Sequence, residues 1–174
     1  GDWKSVAVPL SDLCSAPAGK RERQLLHGDR FLVLEARDGW SFGRAEKDGY
    51  VGYLRDDHLG PEVTATHVVA VRATHLYAAP DIKSPDLAAL SFGARLPIVH
   101  EGRAFFETAE GRFVPKPHLR PADKPFRDPV TVAQLFFGTP YLWGGNSTAG
   151  IDCSGLVQAA LLAAGHPCPG NSDR

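Results

Sequence analysis

Tyr141-Leu142-Trp143-Gly144-Gly145, a short polar loop, and then Gly150-Ile151-Asp152-Cys153-Ser154-Gly155-Leu156-Val157-Gln158 is the stretch that decides how this chain is read. It sets one cysteine behind a glycine-rich loop and at the start of an apolar, alanine-rich run. Leu156 to Ala164 are mostly good helix formers, and Gly165 followed by Pro167 ends them. The pattern predicts a helix from Cys153, capped by Asp152 and mostly buried. A free thiol has a pKa of about 8.5, so little of it is thiolate at neutral pH. The unpaired N–H groups and positive dipole end at a helix start favour an anion there and can later donate to an oxyanion. The bland alternative is a cysteine that only fills space in a core.

The Tyr-x-Trp-Gly-Gly … Gly-Ile-Asp-Cys-Ser-Gly-Leu-Val-Gln run resembles the NlpC/P60 cysteine peptidases, papain-like bacterial cell-wall enzymes. Pro169-Gly170-Asn171-Ser172-Asp173-Arg174 is similar to that family's Pro-Arg-Asp-Ser segment, with Gly170 and Asn171 in place of Arg and Asp. The direct match spans about residues 139 to 174. The resemblance implies that Cys153 is the nucleophile and that Tyr141 lines the site beside the oxyanion. It implies that Asp152, Ser154 and Ser172 bind the free amino end of a substrate peptide. The alternatives are that Asp152 only caps, Ser154 only fills the first turn and Ser172 is only a loop residue. Trp143 is a further substrate-side candidate, with packing under its loop as the other reading.

The family's general base is a histidine on a strand several dozen residues after the cysteine. Up to Arg174 no histidine stands there. His166 falls at the far end of the helix, about 18 Å from Cys153 at the usual rise per residue. His27, His58, His67, His75, His100 and His118 all precede the motif. The expectation is an N-terminal part of a longer enzyme whose histidine lies beyond Arg174.

The front of the chain repeats. Val6-Ala7-Val8 to Ala16-Pro17 aligns with Val69-Ala70-Val71 to Ala79-Pro80 at an offset of 63. Leu25, Gly28, Phe31, Val33 and Trp40 align with Leu90, Gly93, Leu96, Ile98 and Phe105 at 65. Both units close on His-Leu, at 58–59 and 118–119. Short β-branched and aromatic runs between Gly, Asp and Pro turns predict small five-stranded barrels. Gly39-Trp40 and Gly49-Tyr50-Val51-Gly52-Tyr53 resemble bacterial SH3 (SH3b) domains, although the second copy has Ala104-Phe105 where Gly-Trp stands in the first. Prolines 115, 117, 121, 125 and 129 mark a stiff exit, and Asp128-Pro129 opens a predicted helix over 130–137.

The expected fold is therefore mixed: two small all-β SH3-like barrels (1–62 and 63–124), then the helical N-terminal part of an α+β papain-like domain (125–174). The resemblance implies a first barrel that blocks one end of the groove, so that only peptides with a free N-terminal L-Ala enter. Tyr50 and Tyr53, or an acid from that barrel, would complete the amine pocket. The implied reaction cuts the bond between γ-D-Glu and the diamino acid of murein peptides during wall recycling. Alternatives are a secreted hydrolase whose barrels bind polymeric wall, and a catalytically incomplete binding protein.

A net charge of −1 gives no reason to expect nucleic acid, and no apolar run reaches the roughly 20 residues of a membrane span. The three cysteines lack metal-ligand spacing, so neither metal nor other cofactor is expected. A monomer acting on L-Ala-γ-D-Glu-diamino acid is the expectation. One reactive thiol without a disulfide framework favours the cytoplasm. The opening Gly1 keeps a periplasmic or secreted location open, through a leader removed upstream.

Overall fold

The computed structural model describes residues 1–173; Arg174, the last residue of the Pro-Arg-Asp-Ser-like segment, lies outside the described residues. Among the described residues the chain is mostly β, with two α-helices and two short 3-10 turns at Asp56–His58 and Lys116–His118. In the first unit β1 (Asp2–Val6), β2 (Leu10–Cys14), β3 (Arg21–Leu26), β4 (Arg30–Arg37), β5 (Trp40–Ala45), β6 (Val51–Arg55) and β7 (Leu59–Pro61) form one sheet in the order β3-β2-β6-β5-β4-β1-β7. The sheet bends over a core of Val6, Leu13, Leu25, Phe31, Val33, Ala45, Tyr50 and Leu54.

The second unit has β8 (His67–Val69), β9 (Ala73–Tyr77), β10 (Asp86–Ser91), β11 (Arg95–Leu96), β12 (Ile98–Glu101), β13 (Phe105–Thr108), β14 (Phe113–Pro115) and β15 (Leu119–Pro121). They make two sheets, β10-β9-β14-β13-β12 and β11-β8-β15. The aligned core positions of the repeat, Val69, Leu76, Leu90 and Leu96, pack together here as Val6, Leu13, Leu25 and Phe31 do in the first unit.

Neither unit is the closed barrel expected from the sequence. In the first unit β3 and β7 are open edges. The outer side of β3 is covered by the loop before α2 instead of by another strand of its own sheet. In the second unit the counterpart of β4 is split in two by Pro97, which has no N–H to give a ladder.

The repeat does recur at the level of single hydrogen bonds. Gly28 N–H donates to the Val6 carbonyl and Gly93 N–H to that of Val69. Ala7 N–H donates to the His58 carbonyl and Ala70 N–H to that of His118. Ser11 Oγ meets His58 Nδ1 at 2.9 Å, and Thr74 Oγ1 meets His118 Nδ1 at 2.7 Å. The units meet through their matching turns: Arg95 N–H donates to the His27 carbonyl, and a Cβ on Gly28 (φ +83) would lie 2.2 Å from the Arg95 oxygen. Only glycine permits that approach.

The last segment holds α1 (Pro129–Gln134), the two-stranded β16 (Asn146–Ser147) and β17 (Gly150–Ile151), and α2 (Cys153–Ala163). Asp128 caps α1 by accepting from Val130 N–H, with Pro129 in the first turn. The helix stops at Gln134 and not at Phe137 as expected. Leu135, Phe136 and Phe137 make tighter turns of the i→i+3 kind, and Arg72 of the second unit donates to the freed carbonyls of Leu135 and Phe137. Val132, Phe136, Ile151 and Ala160 build a third core around Phe92, which the second unit contributes.

Candidate active site

Asp152 has extended backbone, and its carboxylate turns back to cap the helix that Cys153 begins. Oδ1 accepts from Gly155 N–H at 2.7 Å and from the Ser154 hydroxyl at 3.2 Å. Oδ2 accepts from Gly144 N–H at 3.0 Å and from Arg23 Nη1 at 2.9 Å. Asp152 is 8% exposed. Its two oxygens are thus engaged within the protein, while Cys153 between Asp152 and Ser154 is exposed. The small-hydrophobe alternative required a buried cysteine, and this residue is exposed.

The loop before the helix is pinned at several points. Leu142 N–H donates to the Ile151 carbonyl and Asp152 N–H to that of Gly145. Gly144 (φ +74) is required twice over, because a Cβ there would sit 2.9 Å from the Glu22 carbonyl oxygen. The loop presses on β3 along its length. Lys20 lies 4.3 Å from the centre of the Trp143 ring, and Arg21 Nε donates to the Trp143 carbonyl at 3.1 Å. Gln24 and Asn146 exchange two hydrogen bonds, each from a backbone N–H to the other's side-chain oxygen, at 3.1 Å. Asn146 donates on to Gln158 of α2, which donates to Asp48 and to the Cys168 carbonyl. A polar relay therefore runs from the first unit through the loop into the helix.

A second relay lies beside it. Asn171 Nδ2 donates to the Tyr50 hydroxyl at 3.2 Å, and that hydroxyl donates to Glu22 Oε2 at 2.9 Å. Tyr50 is largely buried. Tyr53 stacks on Phe42, ring centres 5.0 Å apart, and has no hydrogen bond into either relay among the described residues. Tyr141 is 70% exposed, bridged through its backbone to Ile151. Trp143 is half-exposed under Lys20, and Ser172 is exposed beyond Asn171.

Among the described residues no hydrogen bond joins Cys153 to a histidine. His58, His118, His27 and His67 bond to Ser11, Thr74, the Arg95 carbonyl and Thr66. His75 lies near Tyr77, His100 is on β12, and His166 is exposed past α2. A cavity of about 580 Å³ opens between the three segments, lined by Phe92, Phe126, Leu162, Lys47 and Arg95; it lies behind α2 and does not reach Cys153. No group of three His, Cys, Asp or Glu among the described residues is placed to hold a metal ion.

Sequence reading passed over Arg23, Glu22, Gln24, Asn146 and Gln158. Two signals were present. Arg21-Glu22-Arg23-Gln24 fills a strand without a polar–apolar alternation, and Gln158 is a lone polar residue in an apolar helix.

Comparison with known proteins follows the same division. Residues 13–59 match the bacterial dipeptidyl-peptidase SH3 domain, and residues 138–174 match the NlpC/P60 family. The chain is 27% identical over 165 residues to the gamma-D-glutamyl-L-lysine dipeptidyl-peptidase of Bacillus subtilis (strain 168), covering 85% of this chain and 55% of that protein. It is 31% identical over 158 residues to dipeptidyl-peptidase 6 of Lysinibacillus sphaericus, covering 77% and 58%. The chain thus spans a little over half the length of these curated relatives. In fold it is similar to the crystal structure of an NlpC/P60 family protein from Bacillus cereus ATCC 10987, with a TM-score of 0.82, 19% identity and coverage of 98% of this chain and 75% of that one. By these matches the chain carries an SH3 domain of the bacterial dipeptidyl-peptidase kind and, from residue 138, sequence of the NlpC/P60 family.

Proposed function

We propose that the protein is a cysteine peptidase that hydrolyses the γ-D-glutamyl–diamino acid bond of murein peptides with a free N-terminal L-Ala, in wall-peptide recycling. The observation that carries the reading is the exposed Cys153 at the first turn of α2, between Asp152 and Ser154, both of which Arg23 of the first unit contacts. Similarity to a gamma-D-glutamyl-L-lysine dipeptidyl-peptidase supports the bond and makes L-lysine the first diamino acid to test.

In this reading the Cys153 sulfur attacks the γ-carbonyl carbon of D-Glu. The N–H of Cys153 and the Tyr141 hydroxyl face the developing oxyanion. The C–N bond breaks, and the amine of the diamino acid leaves with a proton. Water then attacks the thioester, releasing L-Ala-D-Glu and restoring the thiol. A general base is the proposed carrier of the proton in both steps.

The amine end is held by Glu22 together with Tyr50 and the hydroxyls of Ser154 and Ser172. Asp152 supports that pocket from beneath, because its own oxygens are already taken by four donors. Glu22 supplies the acid expected from the first unit. Its carboxylate is oriented by the Tyr50 hydroxyl, and a carboxylate is the natural partner of an ammonium group.

The test is L-Ala-γ-D-Glu-L-Lys offered with its amine free and with its amine acetylated. Cleavage of the free peptide and rejection of the acetylated one is the expected result. Equal cleavage of both would favour a hydrolase of polymeric wall, and cleavage of neither would remove the peptidase reading.

A further inference from the structure

Arg23 stands on β3 of the first unit, 129 positions before Asp152. Its side chain is 3% exposed. Nη1 donates to Asp152 Oδ2 at 2.9 Å and reaches Ser154 Oγ at 3.4 Å. One guanidinium from another unit therefore touches both residues that flank Cys153. The same Asp152 carboxylate caps α2 and holds Gly144 of the preceding loop, so a shift of Arg23 moves loop and helix start together.

Two glycines make room for it. A Cβ on Gly155 would stand 3.1 Å from Arg23 Nη2, and a Cβ on Gly170 would stand 3.2 Å from Arg23 Nε and 2.9 Å from Asp48 Oδ2. Position 170 is where the Pro-Arg-Asp-Ser pattern carries its arginine, and here it is glycine. A side chain at 170 and the Arg23 guanidinium would compete for one space. Nε and Nη2 have no partner among the described residues, so the ion pair with Asp152 is what holds this buried cation. A buried charge without its partner is strongly unfavourable, which makes the first unit and the helix start interdependent.

We propose that Arg23 is a positioning residue for Cys153: it occupies the space left by Gly170, balances the Asp152 charge beside the sulfur, and couples docking of the first unit to the geometry of the nucleophile. The inference rests on Cys153 being the nucleophile, so its test has one arm that needs no substrate. In the natural protein, alkylation of Cys153 by iodoacetamide is followed by peptide mass analysis, with Cys168 as the internal reference. Turnover of L-Ala-γ-D-Glu-L-Lys is measured in parallel.

Arg23→Gln is expected to slow alkylation of Cys153 about fivefold or more relative to Cys168, since the Asp152 charge then faces an anionic sulfur without its counter-charge. It is expected to lower kcat about tenfold or more with KM changed less than about threefold, as for a misplaced nucleophile. Arg23→Lys should restore part of both. Wild-type alkylation and kcat in folded Arg23→Gln, even with a lowered Tm, would make Arg23 a structural strut and overturn the proposal. Should Arg23→Gln fail to fold, Arg23→Lys keeps the buried charge and removes the planar fork. A partly slowed Cys153 in folded Arg23→Lys supports the proposal, and wild-type rates there overturn it. If the wild-type protein leaves the tripeptide intact, the substrate reading fails and the alkylation arm alone decides on Arg23.

Discussion

The chemistry of this chain turns on which polar atoms are already spoken for. Asp152 accepts from four donors on its two oxygens. Glu22, reached by the Tyr50 hydroxyl on one oxygen, is the acid with capacity to spare. Tyr50→Phe is therefore expected to cost little stability but to reduce the preference for free over acetylated tripeptide several-fold, measured as a ratio of kcat/KM values. Asp152→Asn should act differently. It leaves the Arg23 cation buried without its counter-charge, at a cost of about 3–5 kcal/mol, so the loss appears in thermal unfolding before it appears in specificity. An Asp152→Asn protein of wild-type Tm with relaxed amine selection would reverse these two roles. The motif around Cys153 was legible because glycines, cap and cysteine lie within one short stretch. Arg23 was not, because its partner is 129 residues away and a charged residue in a strand reads as surface.

At the scale of elements, turn chemistry and hydrophobic period pointed to short strands in the two front units and located both helix starts. They placed the end of α1 too late, since an arginine from the second unit takes over its last carbonyls. They also predicted closure of the sheets, which local pattern does not determine. An edge strand and a barrel strand have the same alternation, and what lies on the edge is a tertiary fact. Here the edge of β3 is where the NlpC/P60 segment docks. Phe92 is the matching device on the other side, with ring centres 5.7 Å from Phe136 and 5.8 Å from Phe126. Phe92→Ala should cost about 3–5 kcal/mol and release the α1–α2 segment before the second unit unfolds. Hydrogen exchange would show this as early loss of protection in α2, with the β8–β15 ladder retained.

In the whole molecule the units are joined by contacts that tolerate little change. A methyl group on Gly28 would overlap the Arg95 carbonyl and also demand a left-handed backbone, which alone costs about 1–2 kcal/mol, so Gly28→Ala should separate the two units and lower Tm by several degrees. Acid should act on the second unit. Burial against the Phe106 ring pushes the His67 imidazole below its ordinary value, partly offset by Glu101 and Asp123. With the folded value depressed, the stabilisation is complete above the ordinary histidine range and is lost as pH falls through it and then through the lower folded value. Unfolding followed at pH 7.5 and pH 5 should show the second unit weakened at the lower pH, and His67→Phe should remove part of that difference. The central claim is that Cys153, exposed at the head of a helix and held in place by the first unit, forms the covalent bond to substrate. Acid quenching of the natural protein during turnover of L-Ala-γ-D-Glu-L-Lys, followed by peptide mass analysis, tests it most directly. The account predicts an L-Ala-γ-D-Glu acyl group on the peptide containing Cys153 and none in Cys153→Ala, whereas lysine release by Cys153→Ala, or an acyl group on any other residue, would contradict it.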